Sequence, residues 1–376
     1  MDEKKKLLLI AETMSGGVRR HLVDLIQALD QNTFDITLFY GTRRVDAAFT
    51  KVKSQLESVA TLIPCEALGR DIDLYQDGVA FYQLLKVIRK LRPDIVHCHS
   101  SKAGILGRLA AKTCRVDKVF YTPHAFSFLA PEFSKQKRFV FIQIERFLSR
   151  AATTRIFAVS NGERTRAVLA KIDHQKKFKV IYNGLPKSEQ RYRGYIRREL
   201  NIPADAIVIG NNSRLCEQKD PFTFVKIAEK ITQKYPQIHF VYVGDGPLFK
   251  EVSDYVAKNN LGGQVHLMGY RSDSERLVTG YDYFLLPSLY EGLPYAPLEA
   301  LRAHIPVIAS RVVGNTEVVQ EGVNGYLFDA TDIKQAVLMV EKAIQQELCK
   351  ETIQKDFQKR FSLEQMVAQI SEAYGT

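Results

Sequence analysis

Hydrophobic residues arrive along the chain in short unbroken runs, separated by stretches whose apolar positions recur at helical spacing. Leu7-Leu8-Leu9-Ile10-Ala11 is the first such run. Strands covered on both faces show continuous runs of this kind rather than strict alternation. The pattern predicts strands near Lys6–Glu12, Asp35–Tyr40, Ala60–Pro64, Asp94–His99, Lys118–Thr122, Arg155–Val159 and Lys179–Tyr182. Helices are expected between them, at Val18–Leu29, Val45–Ser58, Tyr75–Lys90, Ala103–Lys112, Ser134–Arg150 and Gly162–Lys171. Alternation of this kind implies an open parallel sheet with crossover helices.

The pattern breaks at Leu185–Tyr195, a polar and basic stretch read as a linker. A second series then begins, with strands near Ile207–Asn211, His239–Gly244, Val265–Gly269, Tyr283–Pro287, Pro306–Ser310 and Tyr326–Phe328. The expected fold is therefore α/β, with two Rossmann-like doubly wound domains facing a central cleft. Ligands of such sheets bind beyond the carboxyl ends of the strands.

The 376 residues are 45% hydrophobic and 25% charged, which excludes fibrous and disordered classes. Five scattered cysteines, none in a C-x-x-C pair, fit a reducing cytoplasm. The Lys-rich start imitates a secretion signal, but its apolar stretch ends at Glu12 and reads better as a buried strand. A net charge of +11 points to an anionic partner. The excess is confined to one half. Residues 1–185 hold 31 Lys and Arg against 18 Asp and Glu, a net +13, and the remainder is −2.

The densest chemistry lies in Ser288-Leu289-Tyr290-Glu291-Gly292-Leu293-Pro294-Tyr295-Ala296-Pro297-Leu298-Glu299, beyond one strand and into the next helix. Its Gly and Pro residues let backbone N–H groups approach a ligand, and a helix N-terminus favours phosphate. Glu291 and Glu299 can accept hydrogen bonds from sugar or ribose hydroxyls, or can be solvated surface groups. Upstream, Ser213-Arg214-Leu215-Cys216-Glu217-Gln218-Lys219 places two cations five apart after a strand, where they can converge on one diphosphate. Gly244 and Gly269-Tyr270 follow the next two strands.

Together these segments resemble the second domain of retaining glycosyltransferases of family 4, of the bacterial surface-polysaccharide type, which have the GT-B fold. The likeness spans the second half of the chain. It implies donor binding in domain 186–360, with Arg214 and Lys219 on the diphosphate and Glu299 on the ribose. It also implies Glu291 near the sugar, the backbone around Tyr270 at the base, and Gly244, Gly292, Leu293, Pro294 and Leu298 lining the donor. Ser213 and His304 depart from the family pattern, standing where glycines are usual.

The first half, 1–185, is the expected acceptor-binding domain, with a final helix at about 361–376 crossing back onto it. Gly16-Gly17 opens its first helix without a G-x-G-x-x-G, so a dinucleotide oxidoreductase is disfavoured. The resemblance puts Gly16 and Gly17 near the donor phosphate and His124, at a strand end, beside the donor sugar. Ser101 and Lys102, opening a helix, form an anion site that Arg70 joins, expected to take the acceptor. His97-x-His99 invites a metal, but no third ligand lies nearby in sequence. Asp71-x-Asp73 reads as N-capping or solvation. In Ser134–Arg150, Val140, Ile144, Phe147, Leu148 and Ala151 form an expected core stripe. Phe139 and Ile142, among Lys135, Arg146 and Arg150, describe either a membrane-surface helix or one packed on two sides.

The resemblance implies a retaining hexosyltransferase-type enzyme. It would move a sugar from a nucleoside-diphosphate donor, a UDP-sugar, to a hydroxyl of a lipid-pyrophosphate-linked saccharide. No metal or other cofactor is expected, since side-chain cations hold the diphosphate. The expected partners are the donor, that acceptor and an anionic membrane surface, not nucleic acid. The expected location is cytoplasmic, peripheral at the inner face of the cell membrane. Two alternatives stay open: a GT-B sugar-nucleotide epimerase, and a non-catalytic subunit of a polysaccharide assembly complex.

Overall fold

The computed structural model describes residues 3–129, 133–188 and 192–375. The chain divides into two compact units, Met1–Gly184 with Leu363–Thr376, and Leu185–Ser362. The first holds seven parallel strands: β1 (Lys5–Ala11), β2 (Phe34–Gly41), β3 (Thr61–Cys65), β4 (Ile95–His99), β5 (Lys118–Thr122), β6 (Arg155–Ala158) and β7 (Phe178–Val180). Their spatial order is β3-β2-β1-β4-β5-β6-β7. The chain thus winds outward from β1, returns to β4 and winds the other way, so strand order reverses between β1 and β4.

The apolar runs do what their lack of alternation implies. Leu7 and Leu9 face one core with Leu22, Ile26 and Tyr374, whereas Leu8 and Ile10 face another with Ala103, Ala110 and Tyr121. The first core is closed by the helix Leu363–Gly375, whose Met366, Ile370 and Tyr374 are buried. Lys118 Nζ also donates to the carbonyls of Tyr374 and Gly375.

The second unit holds β8 (Ile207–Asn212), β9 (Ile238–Val243), β10 (Val265–Leu267), β11 (Tyr283–Leu286), β12 (Val307–Ser310) and β13 (Gly325–Phe328). The order is β10-β9-β8-β11-β12-β13, again all parallel, with its reversal between β8 and β11. The first and last segments of this unit meet: Leu185 bridges Ser362, and Leu185 N–H donates to the Phe361 carbonyl at 2.9 Å.

Two sequence expectations need correction. The linker ends earlier than Tyr195, because Arg193–Glu199 is a helix. Its basic residues are structural: Arg193 and the buried Arg197 both bind Asp282, and a charge count reads that pairing as polarity. Residues 189–191 of the proposed linker, and Thr376 of the proposed final helix, lie outside the described residues. The core stripe of the basic helix, observed at Lys135–Ala152, is also out of phase. Val140 and Phe147 are 52% and 63% exposed, and the buried positions are Glu145, Leu148, Ser149 and Ala152. Buried polar residues with partners displaced the stripe: Glu145 accepts from Arg108 and Tyr121, and Ser149 donates to Asp173.

Candidate active site

In the second unit the candidate residues gather at the reversal between β8 and β11, where doubly wound sheets bind ligands. Lys219 Nζ donates to Glu291 Oε1 at 2.5 Å, joining the loop after β8 to the loop after β11. Glu291 is 6% exposed at its side chain. The same two loops are tied by Leu289 N–H to the Gln218 carbonyl (2.8 Å) and Gln218 Nε2 to the Tyr290 carbonyl (3.0 Å). Arg214 sits exposed on the first of them.

The other strand-end loops are built into this frame by close backbone approaches. Gly244 N–H donates to the Gly269 carbonyl, and Ser213 N–H to Val243. Gly244 has φ +149°, and a Cβ there would stand 1.9 Å from the Ser213 carbonyl oxygen, so only glycine fits. Gly314 packs directly against this loop, because a side chain on Gly314 would stand 2.6 Å from the Gly292 carbonyl oxygen. Tyr270 is exposed after Gly269, which is itself in the left-handed region at φ +64°. Both departures from the family pattern find an account. Ser213 Oγ bonds Asn211 and the Tyr242 hydroxyl, and His304 adopts φ +61° just past a helix end, the backbone that usually selects glycine.

Pro294 is the N-cap of the helix Tyr295–Arg302, on which Glu299 stands half-buried one turn in. Leu293 and Leu298 carry their side chains into the core, so they can offer a ligand only backbone.

In the first unit the reversal between β1 and β4 gathers histidines. Gly16 (φ +57°) and Gly17 open the helix Gly16–Ala28 in an exposed turn, with Gly16 N–H bound to Asp46. On that helix His21 turns inward against His124, ring centroids 4.8 Å apart, and against His99 at 5.4 Å. His99 Nδ1 lies 3.1 Å from His124 Nε2. Burial pushes His21 down to about 4 and holds His97, His99 and His124 well below the ordinary histidine range, so all four rings are neutral at pH 7. His97 is a core residue, its two nitrogens bonded to the Tyr374 and Thr122 hydroxyls.

His124 and Ala125 both have positive φ, 54° and 86°, a costly backbone for side-chain residues. Glu163 holds it. The buried carboxylate accepts from Ala125 N–H at 2.9 Å and Val159 N–H at 2.8 Å, and burial pushes it up to about 7. Sequence reasoning missed His21, Asn183 and Glu163; the Ser160-x-x-Glu163 capping-box spacing was the available signal for the last.

The expected anion site at Ser101–Lys102 is filled from within. Lys102 N–H donates to the buried Glu12 carboxylate, Lys102 Nζ is paired with Asp77 at 2.6 Å, and Ser101 Oγ bonds Ser127. Arg70 is exposed on the loop preceding the Asp73 N-cap, and no contact of it with Ser101 or Lys102 is seen among the described residues. No helix among the described residues is long and apolar enough to cross a membrane.

Comparison with known proteins agrees with this architecture. The family profile Glycosyl transferases group 1 matches residues 193–360, and Glycosyltransferase Family 4 matches residues 15–189. The chain is 31% identical over 325 residues to an Escherichia coli UDP-Gal:alpha-D-GlcNAc-diphosphoundecaprenol alpha-1,3-galactosyltransferase, covering 85% of this chain and 82% of the relative. It is 23% identical to the Staphylococcus aureus capsular polysaccharide biosynthesis glycosyltransferase CapM, covering 87% of each. Among solved structures, Anabaena Alr3699/HepE in complex with UDP and glucose superposes with a TM-score of 0.83 at 21% identity, covering 99% of each chain. With two Rossmann-like units of the GT-B type and a relative this similar along most of its length, the chain belongs to glycosyltransferase family 4.

Proposed function

We propose that this glycosyltransferase moves one sugar from a UDP-sugar to a hydroxyl of a lipid-pyrophosphate-linked saccharide in cell-surface polysaccharide synthesis, with the anomeric configuration kept. The observation that carries the reading is the Lys219–Glu291 pair across the β8/β11 reversal, with Arg214 on the same loop. A galactosyltransferase named for a UDP donor and a diphosphoundecaprenol-linked acceptor is 31% identical, which supports both substrate classes.

In this reading Arg214 and Lys219 neutralise the departing diphosphate, with the N-terminus of the helix Tyr295–Arg302 adding positive potential. Lys219 exchanges part of its bond to Glu291 for a phosphate oxygen, freeing Glu291 to accept from a sugar hydroxyl. Glu299 accepts from the ribose, and the backbone at Gly244, Gly269 and Tyr270 borders the nucleoside. His124, neutral and held by the Glu163-bound turn, hydrogen-bonds the donor sugar, and Gly16 and Gly17 approach its phosphate. Arg70, Ser101 and Lys102 take the acceptor, which requires Lys102 to leave Asp77. A diphosphate oxygen receives the acceptor proton as the new glycosidic bond forms on the face the leaving group vacates. No metal is needed where side-chain cations supply the charge.

The protein works from the cytoplasm at the inner face of the membrane. Phe139, Val140 and Phe147, all more than half exposed among Lys135, Lys137 and Arg150, support contact with anionic lipid. The test is transfer from a panel of UDP-sugars to a polyprenyl-diphosphate-linked GlcNAc in the presence of EDTA, with the product anomer read by NMR. Arg214→Ala and Lys219→Ala are each expected to lower kcat roughly 100-fold, about 3 kcal/mol. Unchanged turnover in both variants would refute the leaving-group assignment.

A further inference from the structure

We propose that His21, His99 and His124 form a binding site for one divalent transition-metal ion of the zinc class, and that occupancy inhibits the enzyme. The inhibition clause rests on the role given to His124 above; the binding clause does not.

One ring nitrogen of each histidine lies within 4.8 Å of one nitrogen of each of the others. His99 Nδ1 and His124 Nε2 are 3.1 Å apart. Two nitrogens each about 2.0–2.1 Å from a tetrahedral zinc stand about 3.3–3.4 Å apart, so this pair is already close to chelating separation.

A second observation points independently to a ligand. His21 Nε2 and His99 Nε2 are buried and without a hydrogen-bond partner. An unpartnered buried nitrogen calls for an occupant; the ion supplies it at His21 Nε2, whereas His99 ligates through Nδ1 and its Nε2 carries the proton. His21 is also oriented as metal-binding imidazoles are: Nδ1 lies 3.2 Å from Asn183 Oδ1, an acceptor, so Nδ1 carries the proton and Nε2 the lone pair. His97, its ring centroid 4.0 Å from that of His99, walls the site without joining it, both its nitrogens being engaged.

The chemistry of the donors selects the ion. Three neutral imidazoles without a carboxylate favour zinc, copper, nickel or cobalt over magnesium or calcium. His124 is the most accessible of the three. A metal there would replace the His99–His124 contact and withdraw His124 Nε2 from any substrate.

The test uses tag-free full-length protein and Co²⁺ as a spectroscopic probe. One equivalent should bind with visible d–d absorption and be displaced by Zn²⁺. That equivalent should be lost in His21→Gln and His99→Gln, with folding checked by circular dichroism. Asn183→Leu, which removes no ligand, should weaken binding about 10–100-fold. Absence of a Co²⁺ spectrum, or binding unchanged in all three variants, would overturn the site and leave the orphaned nitrogens to water. Zn²⁺ should inhibit transfer by the wild type but not alter the residual activity of His21→Gln. If Co²⁺ binds as described and no sugar is transferred under any condition, the site stands and the transfer reading falls.

Discussion

Replacing Arg108 with Met should destabilise the first unit severely, and replacing its partner as well should restore most of the loss. Arg108 is fully buried; it donates to Glu145 Oε2 at 2.8 Å and to the Gly104 carbonyl at 2.7 Å. Its guanidinium also stacks 3.9 Å over the Tyr121 ring, whose hydroxyl reaches the other Glu145 oxygen at 3.2 Å. In Arg108→Met the Glu145 carboxylate keeps one neutral donor and no counter-charge in a site closed to water. Breaking a buried pair in this way costs about 3–5 kcal/mol, whereas exchanging both partners for apolar residues is often neutral or stabilising. For a unit of about 200 residues that corresponds to a fall of about 6–20 °C in Tm. The chain has no Trp, so urea pulse proteolysis and circular dichroism are the suitable assays. Arg108→Met should be strongly destabilised at pH 7. Arg108→Met/Glu145→Leu should recover at least half the loss. A single variant within 1 kcal/mol of wild type, or a double variant weaker than the single, would refute the reasoning.

Other consequences are equally direct. Glu163 is raised to about 7, so its contribution to stability is full below pH 4.5 and falls by ~3 kcal/mol as pH rises to about 7; Glu163→Gln should abolish that component in unfolding measured across this window. Gly244→Ala drives a Cβ into the Ser213 carbonyl and should both lower Tm and remove the thermal shift produced by UDP. Tyr374→Phe leaves His97 Nδ1 without its 2.6 Å bond and should cost about 1–3 kcal/mol in urea denaturation.

The strands were legible because parallel sheets demand what the chain displays, unbroken apolar runs between helical spacings. The donor loops were legible because Gly, Pro and charged residues follow those runs directly. What stayed hidden was pairing across sequence. Glu145 and Ser149 look like the outer face of a helix until Arg108, 37 residues earlier, and Asp173 are known to meet them. Lys102 looks like an open anion site until Glu12, 90 residues away, is seen at its N–H. His99 lacked a third ligand in sequence because His21 belongs to a different crossover, and no local periodicity reports that convergence.

The late return of Leu363–Gly375 to the first sheet sets an order of assembly during synthesis. Domains usually mature in the order in which they leave the ribosome. Here the first unit cannot close its core until Met366, Ile370 and Tyr374 have emerged, and all of Leu185–Ser362 is translated before them. The second unit is therefore the first to become complete, while the nascent first unit waits with Phe120 of β5 uncovered and His97 Nδ1 of β4 without its partner. That exposed surface, rather than any feature of the finished enzyme, is where a chaperone would find this chain.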